Sequence, residues 1–404
     1  MDDQTDEIVA NLYKKFDEIV VKAYRELLGR PPDKKGRWGK VQSLLGGMSE
    51  EDLRKSMMDS KEYKDLHNIL ENPTDVVKVD EEASNKPSIT FVSTWKINCG
   101  IAIYTNNLIN SLNRIKPNAY NVHPLNDKNT VPYSNIAHLQ NELGIMPRPP
   151  NVDNRNKVII TWHTVLLNMD IIKEFESKLN VVTHIATSAG AALCIKESTK
   201  KEVQVIPIGT TLIPNISKND ARNLLQIDEI KKPVGFVFGF QSANKKYSEI
   251  IHVANNAGIH LIISGAKHES EYTVKSLHQN YNNVTFIDRY LTEPEVSLYA
   301  LAADLLIFDY KPENHYSASA AMHRLIGAGR PVVCSDINHF SELTDGKNCI
   351  KFKDVTGLER SIMKALNPTN YENLSKEILL YARETSWNEV AKKHILLYEK
   401  WEVA

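Results

Sequence analysis

The stretch HYSASAAMHRLIGAGRPVVCSD, His315–Asp336, reads as a helix that stops and a strand that begins. Gly327 and Gly329 weaken the helix end, and Pro331 cannot continue it. Val332, Val333 and Cys334 then make a short buried strand. The helix start is lined by very small side chains: Ser317, Ala318, Ser319 and Ala320. Two readings fit them. In one, Ser317 is an N-cap and the alanines are helix filler. In the other, the uncovered backbone offers its unpaired N–H groups and partial positive charge to a phosphate.

The same alternation recurs outward from this unit. Upstream lie "SITFVST", "IAIYTNNLINSL", "NIAHLQ", "KVIITWHTV", "HIATS" and "VQVIPIG". After a pause at "TTLIPNISKND" come "VGFVFGF", "HLIISGA", "VTFIDRY" and "DLLIFDY". Short apolar strands separated by helical stretches argue a parallel sheet covered on both faces. The expected fold class is α/β, with two doubly wound, Rossmann-like domains at residues 80–212 and 213–385. Residues 1–79 read as a small all-α module. There Ile19, Val20, Ala23, Leu27 and Leu28 follow helical spacing, and Gly29 with Pro31-Pro32 ends the helix. Ser49 then caps a new helix with acidic residues in its first turn, and Asp80–Ser88 is a polar linker. Doubly wound sheets bind ligands at the carboxyl ends of their strands, so two facing domains put the site in the cleft between them.

The totals agree with this plan. A chain of 404 residues is too long for one ordinary core. It is 42% hydrophobic and 25% charged with a net charge of -1, which gives no argument for nucleic-acid binding. Cys99, Cys194, Cys334 and Cys349 are scattered in apolar stretches without a CxxC pair, and read as reduced, buried thiols. The acidic, polar start does not read as a signal peptide, so none is expected, and no apolar run approaches the roughly 18–20 residues that span a bilayer. A cytoplasmic location is expected, with peripheral contact at the inner face of the membrane left open. The sequence has no GxxxxGK[ST] loop, no HExxH and no Cys/His metal spacing, so neither a metal nor a cofactor is expected.

The order of short motifs resembles the GT-B glycosyltransferases, most closely their family 4 group. The pieces are "CGIAIYT" (Cys99–Thr105), "HLQNELGI" (His138–Ile145) and "TWHTV" (Thr161–Val165) in the first α/β domain. The second contributes "GFQSANKKYSEII", "LTEPEVSLYALAADLLIFDY" and "SASAAMHRLIGAGRPVV". The closing "TSWNEVAKKHILLYEKW" looks like the family's final helices, so residues 386–404 are expected to cross back to the first α/β domain. The resemblance spans residues 88–404; "AYRELLGRPPD" marks the helical module as one that recurs beside bacterial surface-sugar enzymes. The resemblance implies transfer of a hexose from a nucleoside diphosphate sugar to a hydroxyl, with retention of configuration. The acceptor would be a glycan, a lipid-linked sugar or a protein. The helical module would make any contact with a membrane or a protein partner.

Such a reaction builds negative charge on the leaving diphosphate, which pre-placed donors must neutralise. The start of the helix at Ser317, Ala318 and Ser319 is one device. Lys246, beyond the strand "VGFVFGF", is the second, and the family's lysine aligns to it or to its neighbour Lys245. Gly100 lets the backbone approach a ligand with no Cβ in the way. His163 ends "KVIITWH" and either binds a sugar hydroxyl or phosphate, or is a satisfied core histidine. His138, Gln140 and Glu142 alternate, sharing one face if extended, as holders of sugar hydroxyls or as a structural network. Asp288 and Arg289 end another strand, near where the family holds the nucleobase.

The chain also departs from the family. Tyr316 and Arg324 stand where two glutamates are usual, the first touching the sugar and the second the ribose. Phe240 or Gln241 replaces an arginine, and Ile208 a histidine. Arg324 brings a guanidinium suited to phosphate or faces solvent. These departures leave two alternatives: a non-catalytic scaffold that holds a sugar or nucleotide, and a sugar-nucleotide epimerase, whose usual carboxylates are not evident.

Overall fold

Helical spacing at the amino end builds a helical layer ahead of the first strand among the described residues. α1 (Asp3–Leu28), α2 (Lys34–Leu45) and α3 (Glu50–Met58) bury Val20, Ala23 and Leu28 against Val41, Leu44, Leu53 and Met57. α1 stops directly before Gly29, and Ser49 caps α3 by accepting from the Asp52 amide at 3.0 Å, as the sequence indicates. The computed structural model describes residues 3–28, 32, 34–45, 48–60, 63–64, 88–97, 99–166, 170–199, 201–213, 216–242, 244–265 and 281–403. Apart from Ser88, the polar linker expected over Asp80–Ser88 lies outside them.

The first α/β lobe comprises β1 (Ile89–Ser93), α4 (Gly100–Ile115), β2 (Tyr120–Pro124), β3 (Ile136–Asn141) and β4 (Lys157–Trp162). It continues with the short β5 (Thr164–Leu166), α5 (Asp170–Lys178), β6 (Val181–Ala186), α6 (Ala189–Thr199) and β7 (Val203–Val205). Six of these strands form a parallel sheet in the order β2-β1-β3-β4-β6-β7. Every residue of β1 and β3 is buried, because helices cover both faces.

The second lobe holds α7 (Lys218–Leu225), β8 (Val234–Phe238), α8 (Tyr247–Asn256), β9 (His260–Ser264), β10 (Val284–Ile287), α9 (Glu293–Ala302) and β11 (Leu305–Phe308). It also contains β12 (His315–Ser317), α10 (Ala320–Leu325), β13 (Val332–Ser335), β14 (Ile350–Phe352), α11 (Val355–Leu366) and α12 (Pro368–Glu384). Its parallel sheet has the order β10-β9-β8-β11-β13-β14. The order reverses between β8 and β11, and between β1 and β3 in the first sheet; each reversal opens a crevice at the carboxyl edge. The chain thus has the two doubly wound domains and the preceding helices that its sequence patterning predicts.

The chain crosses between the lobes twice. Outward it runs from Ile208, packed in the first lobe, to Ile213, packed on the second. It returns at Thr385–Trp387 into α13 (Trp387–Val403), whose Val390, Ala391 and Tyr398 pack with Tyr104, Leu108 and Leu112 of α4. The two crossings are stitched together: the Thr210 amide donates to Thr385 O at 2.7 Å, and the Trp387 amide to Thr210 O at 3.3 Å. The Thr210 hydroxyl also meets His323 Nδ1 of α10 at 2.7 Å. α10 is therefore fixed to the hinge as well as to its own sheet.

One expectation needs correction. Cys334 and Cys349 are buried free thiols, but Cys99 and Cys194 are only half-buried. Cys99 is the N-cap of α4, its Sγ accepting from the Ala102 amide at 3.3 Å. No helix of the described residues is long and apolar enough to cross a membrane.

The hinge makes a testable demand at Gly327, in the 3-10 turn after α10: a Cβ there would stand 2.0 Å from the carbonyl oxygen of Thr211. Gly327→Ala is expected to destabilise the protein by about 1–3 kcal/mol, read as a lower urea midpoint; an unchanged midpoint contradicts this close packing.

Candidate functional site

The carboxyl ends of the two sheets meet. β5 continues from the end of β4, β12 follows the end of β11, and the two pair antiparallel as a separate ribbon. In the second lobe the crevice between β8 and β11 is built from two loops. Residues 244–246 are pinned to 309–311 by Lys246 N to Asp309 O at 3.0 Å and Lys311 N to Asn244 O at 2.7 Å. Lys245 and Tyr310 form an isolated antiparallel bridge there. Neighbouring side chains in such extended backbone leave on opposite sides, so the two lysines part company.

Lys245 turns inward. Its Nζ donates to Phe238 O at 3.1 Å and lies over the Tyr310 ring at 5.5 Å. It is 6% exposed and has no carboxylate partner among the described residues. Burial pulls its ammonium down to about 7. Gly239, with φ of +106°, makes room for it: a Cβ there would stand 2.8 Å from Lys245 Nζ and 3.2 Å from the Ala321 Cβ in the first turn of α10. The ammonium and the start of α10 thus share one small space.

Lys246 turns the other way, to Glu249 at 3.3 Å and Asp309 at 3.8 Å. Asp309 is buried and accepts from Ser335 Oγ at 2.9 Å; burial pushes its carboxyl up to about 6. Both lysines were candidates from sequence, with Lys246 ahead; the geometry brings Lys245 to α10 and leads Lys246 into an ion-pair cluster.

The small residues before α10 divide their tasks. Ser319, not Ser317, is the N-cap, accepting from the Met322 amide at 3.2 Å. Ser317 belongs to β12, and its Oγ meets His339 Nδ1 at 2.7 Å. The Ala318 side chain packs on the apolar cluster of the first lobe. The amides of Ala320 and Ala321 open the helix, where no preceding turn supplies a carbonyl. Tyr310 and His339, whose rings lie 5.2 Å apart, close this corner.

In the first lobe, His138 and Gln140 share the face expected of them, without Glu142, and His163 joins them. His163 Nε2 meets Gln140 Oε1 at 3.0 Å, and Gln140 Nε2 meets His138 Nε2 at 3.2 Å. His138 in turn meets Thr161 Oγ1 at 2.8 Å and, through Nδ1, Tyr398 OH of α13 at 2.7 Å. Burial drives His138 well below its ordinary range and His163 down to about 3, so both imidazoles are neutral at physiological pH. His138 and Gln140 are fully enclosed under α13, while His163, edge-on to the Tyr104 ring at 4.7 Å, keeps slight exposure. Glu142 leaves this chain; its Oε2 accepts from Thr164 Oγ1 of β5 at 2.8 Å. Gly100 opens α4 with nothing within 4 Å of where a Cβ would lie.

Asp288, Arg289 and Arg324 lie by the carboxyl edge of the second sheet. Asp288 accepts from Gln241 Nε2 at 3.0 Å. Arg289 is held by Glu295 in a two-pronged ion pair. Arg324 lays its guanidinium over the Phe238 ring at 4.7 Å and pairs with Glu293. Tyr316 points into the first lobe, packed on its core. No group of three or more His, Cys, Asp or Glu among the described residues is arranged to hold a metal ion. A cavity of about 340 Å³ beside Lys232 and His260 lies at the amino edge of the second sheet, away from these groups. Sequence reasoning passed over Gly239, Tyr310 and His339; the signal for the first was a glycine directly after an apolar strand.

Because its ammonium is depressed on folding, Lys245 binds fewer protons folded than unfolded between pH 7 and its ordinary value of 10.5. Stability contributed by this group therefore rises with pH across that window. Lys245→Met is expected to raise the melting temperature at pH 7 and to flatten its rise towards pH 9. A variant that melts lower, with the wild-type pH slope intact, contradicts this placement.

No protein-family profile matches the sequence, and no curated protein does. Solved structures do match. Sucrose-phosphate synthase from Thermosynechococcus elongatus superposes with a TM-score of 0.58 at 16% identity, covering 78% of this chain and 99% of that one. Anabaena HepE, solved with UDP and glucose, gives 0.58 at 13% identity over 78% and 100%. AviGT4, a glycosyltransferase involved in avilamycin A biosynthesis, gives 0.55 at 14% over 78% and 98%. The helical module lies outside what these matches address. Beyond the helical module, the described residues have the GT-B fold of two facing Rossmann-like domains.

Proposed function

We propose that the protein is a glycosyltransferase that moves a hexose from a nucleoside diphosphate sugar to a hydroxyl acceptor. One observation carries the reading: an ammonium without a carboxylate partner among the described residues is buried beside the first turn of α10, at the crevice of the second sheet. A buried cation is costly unless an anion meets it, and a diphosphate supplies one. The HepE structures were solved with UDP, glucose or UDP-glucose, which favours the same ligand class here.

In this reading Lys245, with the amides of Ala320 and Ala321 and the Ser319 cap, takes up the charge that grows on the leaving diphosphate. That role falls to Lys245 in place of Lys246, whose ion pair with Asp309 and Glu249 stiffens the loop that positions it. Gly100 faces the same anion from the first lobe. Asp288, Arg289 and Arg324 hold the nucleoside. Neutral His163, oriented by Gln140, offers a ring nitrogen to a sugar hydroxyl. Retention of configuration follows if the departing phosphate accepts the acceptor's proton on the same face; no carboxylate base is then needed, which tolerates Tyr316 and Arg324 in the glutamate positions. The acceptor belongs to a glycan, a lipid-linked sugar or a protein of the cell surface, and the reaction runs in the cytoplasm without a metal or cofactor. The helical module supplies the contact with membrane or protein.

A second reading, a non-catalytic sugar or nucleotide scaffold, draws on one specific feature: where the family has a sugar-contacting glutamate, this chain has Tyr316, whose ring packs against the first lobe. Calorimetry with UDP and GDP, followed by donor hydrolysis assays with UDP- and GDP-hexoses, separates the two. The transferase reading expects binding plus slow hydrolysis, with Lys245→Ala lowering the rate by about 10²–10³. Binding with no hydrolysis, and no transfer to any extract acceptor, favours the scaffold; no binding of either nucleotide overturns both.

A further inference from the structure

The ribbon of β5 and β12 belongs to neither six-stranded sheet. It joins the lobes backbone to backbone, with Thr164 opposite Ser317, Val165 opposite Tyr316 and Leu166 opposite His315. Each strand is tied down in its own lobe. Thr164 Oγ1 donates to Glu142 at 2.8 Å, and Val165 is buried in the first core. Ser317 Oγ is bonded to His339 at 2.7 Å. Tyr316 crosses over: its ring packs on the first lobe at the start of α6, where a Cβ on Gly190 would lie 2.3 Å from Tyr316 Cε1. Glycine at this position is what lets the ring seat.

A pair of three-residue strands is not stable alone in water, so this ribbon exists only while the lobes are together. Its placement gives it consequence. β5 begins one residue after His163, and α10 begins three residues after β12. Parting the lobes has to break the ribbon, and breaking it releases both halves of the cleft at once. We propose that the β5–β12 ribbon is a latch between the lobes, keyed by the Tyr316 ring over Gly190, and that lobe opening is a single event in which the latch unpairs. The latch follows from the pairing itself and holds whatever the cleft binds.

The test is amide hydrogen exchange on the full chain, with small-angle scattering on the same samples. In the wild type, the protected amides of residues 164–166 and 315–317 are expected to exchange with one common opening constant. Tyr316→Ala removes the key, and Gly190→Ala blocks its seat from the opposite side. Each is expected to speed exchange of the ribbon amides at least tenfold and to increase the radius of gyration, while β4 and β11 stay protected. Protection of β4 and β11 distinguishes a lost latch from a lost fold, and Tyr316→Leu, which keeps apolar bulk, is the milder variant for that case. The proposal is overturned if the two ribbon strands open independently in the wild type. It is equally overturned if folded variants leave ribbon exchange and scattering at wild-type values.

Discussion

A buried ammonium beside the first turn of a helix is the constraint on which the proposed function depends. Lys245 is enclosed by Gly239, Tyr310 and the first turn of α10, and no carboxylate among the described residues balances it. Desolvation moves its proton equilibrium to the neighbourhood of neutrality. Such a group is unfavourable in an empty protein and favourable once an anion arrives. The start of α10 adds amide donors aimed from the helix axis. A site of this kind has its strongest interaction with a ligand whose charge grows during reaction, which is the requirement for releasing a nucleoside diphosphate.

The scaffold holds this corner from three directions. The loop of residues 244–246 is bonded to residues 309–311 across the sheet reversal. His323 of α10 is bonded to Thr210 at the outward crossing and to Glu342, which also accepts from Tyr381 OH at 2.8 Å. The ribbon of β5 and β12 fixes the segment just before α10 to the opposite lobe. In the first lobe the run from Tyr398 through His138 and Gln140 to His163 connects the returning helix α13 with the crevice. These links are directional polar contacts; where they are buried, as at His138 and His323, hydrogen bonds are strong and mispairing is costly.

Much of the fold was legible because its signals are local. Short β-branched runs, Gly327 and Gly329 before Pro331, and the Ser49 cap each specify their element within a few residues. The site was legible in outline and not in detail, for reasons that are non-local. Lys245 and Lys246 are indistinguishable in sequence; a bridge to Tyr310, sixty-five positions on, decides which points at α10. His138 and Gln140 were correctly set on one face, yet only Tyr398 of α13 reveals that this face is roofed. The S-A-S spacing hid the offset by which Ser319 caps the helix while Ser317 joins a strand. Tyr316 looked like a substituted sugar contact, and its true neighbour, Gly190, lies in the other lobe.

On the proposed function, Lys245 is a depressed ammonium that waits for a diphosphate. Selective observation of its side-chain nitrogen by NMR, titrated with and without UDP, tests this directly. A midpoint near 7 is expected in the free protein, with a clear upward displacement on adding UDP, as the anion holds the proton in place. An ordinary lysine midpoint in the free protein, or a depressed one that UDP leaves unmoved, contradicts it.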